Sequence, residues 1–226
     1  MAAAHPPDPA DVAAELAAHA IAAGDPSGWF ERLYSAAAAG QAQVPWDRGG
    51  PFQLVAEWLD ERQGAGRRAV VVGCGPGEDA ELAASRGFEV SAFDVAPTAI
   101  ELARRRHPSS TVDYRVADLF ALPGEWQRAF DVVVESLPVQ SLPESVRAVA
   151  IRAVTELVAQ GGTLLVVAAG RSPDSAVTGP PWPLTPADID RFTQQLQPVR
   201  VERLPDPQAR SEFRWRAEFT RGPNVD

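Results

Sequence analysis

The sequence predicts a doubly wound α/β sheet with an antiparallel C-terminal hairpin and an N-terminal helical cap. From Arg68 onward, short runs rich in Val and Phe alternate with helix-periodic segments, the order of a parallel sheet covered by helices. The first run ends in a glycine turn, Gly73-Cys74-Gly75-Pro76-Gly77, that opens a helix. The last two strand-like runs are joined without a helix between them, which requires them to pair antiparallel.

The elements follow in order. Asp8, Pro9 and Asp11 read as a cap, a first-turn proline and a dipole-matching acid, so an Ala-rich helix runs to about Ala23 and stops at Gly24. Asp25-Pro26 starts a second helix, which carries Trp29, Phe30, Leu33 and Tyr34 and ends at Gly40. Residues 41–51 hold too many Pro and Gly to be regular, and a third helix spans 52–63. Residues 1–65 are thus read as the cap and 66–221 as the core of one domain, 1–226. In the core, strands are placed at 68–73, 88–93, 112–116, 130–135 and 163–169, with helices at 77–86, 97–106, 143–159 and 186–196. Residues 199–203 and 212–219 form the hairpin. In the latter run Phe213, Trp215, Ala217 and Phe219 alternate with Arg214, Arg216 and Glu218, giving one buried and one wet face.

Composition narrows the function. With 226 residues, 45% hydrophobic and 23% charged, the chain fits a globular domain large enough to bury its own core. No apolar run approaches the roughly 20 residues of a membrane span, and the start lacks the basic and apolar regions of a secretory signal, so a cytoplasmic protein is expected. A net charge of −9 argues against a nucleic-acid partner. His5, His19 and His107 show no ligand spacing, which argues against a metal site, and the lone Cys74 reads as a small packing residue within the turn.

The motifs carry the chemistry. Glycines at 73, 75 and 77 permit a sharp turn and let a ligand lie against bare peptide groups. Asp94 closes the second strand, where a carboxylate can accept hydrogen bonds from ribose hydroxyls, so the ligand is a nucleoside. A dinucleotide fingerprint requires glycine at 78, but Glu78 stands there and repels a pyrophosphate. With Asp79 it suits a ligand carrying positive charge, such as S-adenosylmethionine. Over residues 66–221 the chain resembles the class I S-adenosylmethionine-dependent methyltransferases, whose first motif has this turn and whose second ends in an acid like Asp94. The resemblance implies a seven-stranded Rossmann-like sheet. It also implies that Gly73, Cys74, Gly75 and Gly77 meet the amino-acid end of the donor, Asp94 and Val95 the ribose, and Asp118 and Leu119 the adenine.

The fourth strand closes on Glu135-Ser136-Leu137-Pro138. There Glu135 is read as the catalytic acid, touching cofactor and acceptor and taking the acceptor's proton; the plainer alternative is a strand-end acid bonded to nearby backbone N–H groups. The segment lacks the Asn/Asp-Pro-Pro-aromatic sequence of amino-group methyltransferases acting on adenine or glutamine. A long loop, 170–184, follows the fifth strand, and its Gly179-Pro180-Pro181-Trp182 resembles a segment of the thiopurine methyltransferase family. The Trp29-Phe30 helix and Trp46-Asp47 resemble that family's cofactor cover. Trp29 and Trp46 are accordingly assigned to the cofactor, and Tyr34, Ser136 and Trp182 to the acceptor; together the rings could box a sulfonium. That family places an arginine after the strand-end acid, where this chain has Ser136, and Arg171 is the available substitute.

Together these readings predict methyl transfer to S, N or O of a small, largely apolar or aromatic molecule, without metal, nucleic acid or membrane. The alternatives are a catalytically silent binder of the same nucleoside and, opposed by Glu78 and the hairpin, a nicotinamide-dependent oxidoreductase.

Overall fold

The computed structural model describes residues 9–177, 179–208 and 210–223. Asp8, expected to cap the first helix, lies outside them. Helices α1 (Pro9–Ala22), α2 (Gly28–Ala38) and α3 (Gln53–Asp60) precede the sheet. The core then runs β1 (Arg68–Val72), α4 (Glu78–Ser85), β2 (Glu89–Asp94), α5 (Pro97–Arg106), β3 (Asp113–Val116), β4 (Phe130–Ser136), α6 (Glu144–Glu156), β5 (Val158–Gly170), α7 (Pro186–Phe192), β6 (Gln197–Leu204) and β7 (Phe213–Thr220).

The seven strands form one sheet in the order β3-β2-β1-β4-β5-β7-β6. β1 to β5 are parallel, and β7 enters antiparallel between β5 and β6. This is the Rossmann-like arrangement with an antiparallel hairpin that the sequence predicts. Chain order reverses between β1 and β4, and such a crossover opens a crevice at the carboxyl ends of the strands.

Alternation along the strands builds two cores. In β1, Val70 and Val72 face a cluster that includes Ile151 of α6 and Phe192 of α7, while Ala69 and Val71 face one with Leu59, Ala83 and Ile100 from α3, α4 and α5. The third helix, expected in the cap, therefore packs on the sheet face beside α4. The other two helices form a separate apolar cluster through Ala13, Ala17, Ala20, Trp29 and Leu33. Glu31 of α2 fastens them to the core by accepting from the backbone N–H and hydroxyl of Thr98 at 3.0 and 2.6 Å, which caps the first turn of α5.

Helix boundaries depart from the sequence reading at three ends, the first being α3, which stops at Asp60 rather than 63. The α6 helix stops at Glu156 rather than 159 because Arg221 donates to the carbonyls of Thr155 and Val158, closing its last turn and starting β5 early. The α7 helix stops at Phe192 rather than 196, where the Thr193 hydroxyl donates back to the Asp190 carbonyl.

Arg147 of α6 ties this face to the loop after β5. Only 1% exposed, it donates to Asp188 at 2.9 Å and to the Trp182 carbonyl at 3.0 Å, while Asp188 also completes the capping box of α7 with Thr185. Asp188 also pairs with the half-exposed Arg191 at 2.6 Å, so loss of Arg147 leaves the buried acid with one cation of two. Arg147→Ala should therefore lower the unfolding free energy by about 3 kcal/mol in a urea titration, the lower end for a broken buried pair, against less than about 1 kcal/mol for Arg191→Ala.

Candidate active site

The site lies where β1, β2 and β4 end. Gly73, Gly75 and Gly77 take φ of +55°, +51° and +97°, values that favour glycine. A Cβ would also be crowded at each: at Gly73 it would lie 2.6 Å from Pro138, at Gly75 2.7 Å from the Tyr34 hydroxyl, and at Gly77 against the Tyr114 hydroxyl. Gly73 and Gly75 border the crevice; Gly77 is required by Tyr114, which packs under the turn, and lines none of the clefts described below. The Cys74 N–H donates to the Phe93 carbonyl at 2.9 Å, and burial pushes its thiol well up, as suits a packing residue.

Asp94 ties the ends of two strands together. Its carboxylate accepts from Gly75 N–H at 3.0 Å and Ala96 N–H at 2.9 Å, which links the glycine turn to the start of α5. Burial raises its pKa to about 6 against the lowering effect of those N–H groups. Two carboxylate oxygens have about four acceptor positions, so capacity remains for a ligand hydroxyl. Asp118 starts the short turn Leu119–Ala121 by accepting from Phe120 N–H at 2.9 Å. Asp79, at the mouth of α4, accepts from Phe52 N–H at 2.7 Å; burial raises its pKa to about 6, with Phe52, the Ser136 hydroxyl and Arg48 opposing.

Three clefts converge here. The first is lined by Tyr34, Asp94, Val95, Asp118, Leu119 and Phe120, among others, and the second by Gly73, Cys74, Gly75, Glu78 and Asp79. The third is a cavity of about 670 Å³ under the loop after β5, bordered by Trp29, Arg48, Gln140, Pro180, Pro181 and Arg214. Trp46 and Leu137 line all three. The Trp46 indole is fixed by donating to the Tyr34 hydroxyl at 2.8 Å. Leu137 stands at φ +79°, in the left-handed region, held by its N–H to Val167 at 2.9 Å and by the Ser141 hydroxyl donating to its carbonyl at 3.0 Å.

The donor set fits an adenosine bearing a cationic amino acid. Acids line both small clefts where hydroxyl or ammonium groups could donate, apolar rings flank the first, and Glu78 at the glycine turn is partly answered by Arg106 at 3.4 Å.

Several predicted site residues fall elsewhere than expected. Glu135 is fully buried and lines none of the three clefts: one oxygen accepts from Val139 N–H at 2.8 Å, and the other has no partner among the described residues. This is the strand-end arrangement weighed as the alternative, and burial raises its pKa to about 8. Glu135 thus supports the turn around Leu137 through Val139. Tyr34, assigned to the acceptor, lies over Gly75 beside the first cleft, and Trp29, assigned to the cofactor, borders the third. Trp182, assigned to the acceptor, packs against the α1–α2 cluster, leaving Pro180 and Pro181 to line the cavity. Ser136 borders the first two clefts. Arg171 is committed to the carbonyls of its own loop at Ser172, Pro173, Ser175 and Pro183, so it does not replace the missing arginine. Leu137, Gln140 and Tyr114 carry no sequence signal of this kind, since a left-handed leucine or a buried glutamine leaves no periodicity.

Fold and site together define a nucleoside-dependent transferase. Residues 69–162 match the methyltransferase domain family. The chain is similar to the ubiquinone biosynthesis O-methyltransferase of Pseudomonas aeruginosa, 31% identical over 171 residues that cover 69% of this chain and 73% of that protein. Its fold is shared with the N-methyltransferase NodS of Bradyrhizobium japonicum in complex with S-adenosyl-L-homocysteine, at 20% identity and a TM-score of 0.65 over 84% of this chain and 98% of that one. The 1,6-didemethyltoxoflavin-N1-methyltransferase of Burkholderia thailandensis, solved with S-adenosylhomocysteine, matches equally in fold, at 16% identity and a TM-score of 0.65 over 84% and 86% of the two chains. The chain belongs to the class I S-adenosylmethionine-dependent methyltransferases, and S-adenosylmethionine is its methyl donor. Among the described residues no helix is long and apolar enough to cross a membrane.

A buried acid with a folded pKa of about 8 against an ordinary 4.5 binds its proton more tightly in the folded state. Its contribution to stability is fully present below 4.5 and is lost as pH rises toward 8. Glu135→Gln should thus match the wild type in melting temperature near pH 5. It should exceed the wild type increasingly up to pH 8.5, by about 2–4 °C for each kcal/mol that ionisation costs. A gap that stays constant with pH, followed by calorimetry, would mean that Glu135 is ionised and solvated.

Proposed function

We propose that this methyltransferase transfers the methyl group to an oxygen, nitrogen or sulfur of a small, largely apolar or aromatic molecule bound in the cavity beneath the loop after β5. The observation that carries this reading is the convergence of all three clefts on Trp46 and Leu137. Two small clefts suit the two ends of the donor, and the larger cavity lies across the same pair of residues.

In this reading Asp94 takes the ribose hydroxyls in the first cleft. Asp118 and the Leu119 N–H take the adenine there, with Phe120 alongside. Asp79, Glu78 and the glycine turn take the amino-acid end in the second cleft. Bound S-adenosylmethionine supplies a methyl group on cationic sulfur, already activated toward a lone pair. The chain's own work is then alignment and exclusion of water. Trp46, locked by Tyr34, closes the cap over the junction, and its ring face attracts the positive charge expected there. Leu137, held by the Glu135-supported turn, forms the opposite apolar wall. No ionised acid among the described residues reaches the junction from β4, so an acceptor that arrives protonated loses its proton to water or to its own ionisation.

The name of the Pseudomonas relative supports oxygen as the accepting atom. The Gly179-to-Trp182 segment supports a thiopurine-like acceptor less well, because Arg171 is spent within its loop. A protein that binds the donor yet methylates nothing across a broad panel of phenols, amines and thiols would be the silent binder instead.

Asp94→Ala should weaken S-adenosylhomocysteine binding by about 1–3 kcal/mol in calorimetry, the scale for stripping hydroxyl groups of a charged acceptor. Affinity should also fall as pH drops through about 6, where Asp94 and Asp79 take up protons and lose the charge that favours the ligand's donors. In Asp94→Asn, the part of that fall due to Asp94 should vanish. An affinity flat from pH 7.5 to 5 would place neither acid at the ligand.

A further inference from the structure

The chain is acidic overall, yet the cavity beneath the loop after β5 has a cationic wall. Arg48, Arg210 and Arg214 all border it. The guanidinium groups of Arg48 and Arg214 both lie over the Phe52 ring, 4.4 and 5.8 Å from its centre, so the two like charges share one small region. Arg214 is answered by Asp206 at 3.1 Å. Arg48 and Arg210 make no ion pair and no side-chain hydrogen bond among the described residues. The acids nearest to them are already engaged: Asp79 holds Phe52 N–H, Asp47 pairs with Arg106, and Asp206 accepts from Arg214, Gln208 N–H and the Ser211 hydroxyl. Burial and the charges of Arg214 and Arg210 push the Arg48 pKa down, the sign of cations gathered without enough counter-charge.

Neutral donors face the same space. Gln140 is 4% exposed, and its side-chain oxygen accepts from Ala169 N–H, which turns the amide nitrogen away from that contact. That nitrogen has no partner among the described residues, and Gln140 lines the cavity. The indole N–H of Trp29, fully buried and also bordering the cavity, is likewise unpartnered. A buried donor without an acceptor costs free energy, so a cavity with one such donor at Trp29 and an open amide N–H at Gln140, beside unpaired cations, suits a ligand rich in acceptors.

From this geometry we infer that the methyl acceptor carries an oxyanion, a carboxylate or phosphate, held by Arg48 and Arg210, while Gln140 and Trp29 donate to its remaining polar atoms. The inference deepens the methyl-transfer reading and rests on it. An oxyanion at the arginine wall leaves the apolar body of the acceptor against Pro180 and Pro181, with its reactive atom toward Trp46 and Leu137.

The test uses the full chain saturated with S-adenosylhomocysteine, whose own affinity is measured first. Aromatic carboxylates, matched phosphate monoesters and matched primary amides are then titrated by ligand-observed NMR. At least one anion should bind tenfold or more tightly than its amide, and the arm that binds distinguishes carboxylate from phosphate. In Arg210→Ala and Arg48→Ala the preference should shrink severalfold, and in the double charge reversal to Glu it should invert toward aromatic amidines. Both arginines lie at the surface, Arg48 partly covered by its neighbours, so their variants should fold, which circular dichroism checks. The inference is overturned if the amides bind as well as the anions, if no anion binds, or if the variants retain the preference. It is overturned equally if Arg48→Ala weakens S-adenosylhomocysteine tenfold without touching the preference, since that guanidinium would then serve the donor's own carboxylate. Failure of the wild type to bind S-adenosylhomocysteine at all would strike the methyl-transfer reading itself.

Discussion

The turn that follows β4 is closed by a buried contact, the Val139 N–H donated to the Glu135 carboxyl, together with the bonds that Leu137 makes to Val167 and Ser141. Without it, the chain would leave the sheet with an unanswered amide in an apolar surround, at a cost of about 1–3 kcal/mol. With it, Leu137 is held in a left-handed conformation that itself costs about 1–3 kcal/mol. That strained residue is one of two that border every cleft of the site. Glu135 serves this purpose as a neutral acid, because full burial holds its proton up to a pH of about 8. The acid read from the sequence as the reacting base thus also supports the turn that shapes the reaction space.

The opposite wall is supplied by the cap. Tyr34 reaches over Gly75, where any side chain would displace it, and orients Trp46 through a hydrogen bond. The helix that carries Tyr34 is anchored by Glu31 to the first turn of α5, and that turn begins beside Asp94. Cap, glycine turn and ribose-facing acid are therefore mechanically connected. The same connection explains why Gly75 matters twice: for its positive φ, and for the space that the cap occupies.

Sequence reasoning recovered the fold because periodicity and punctuation are local signals. The Val run of β1, the glycine turn, Asp94 at the end of β2 and the helix-free joint before Phe213 all lie where they were read. The site was legible wherever it is built from strand ends, and less so where it is built from packing. Nothing in the sequence tells a buried Glu135 from a solvated one, because the difference lies in whether Val139 folds back over it. Trp182 and Pro181 adjoin in sequence, yet one packs on the cap and the other lines the cavity. The arginine wall brings residue 48 together with residues 210 and 214, a meeting that depends on β7 entering the sheet beside β5. From the alternation of β7, its arginines read as a wet face; Arg214 is in fact 6% exposed and turned into the site.

The central claim is that donor and acceptor meet between Trp46 and Leu137. A crystal structure with S-adenosylhomocysteine bound addresses it directly. Adenosine should lie against Asp94 and Asp118, the amino-acid end against the glycine turn, and the sulfur should face the large cavity across the Trp46–Leu137 pair. Sulfur turned away from that cavity, or a nucleoside seated outside these clefts, would contradict the account.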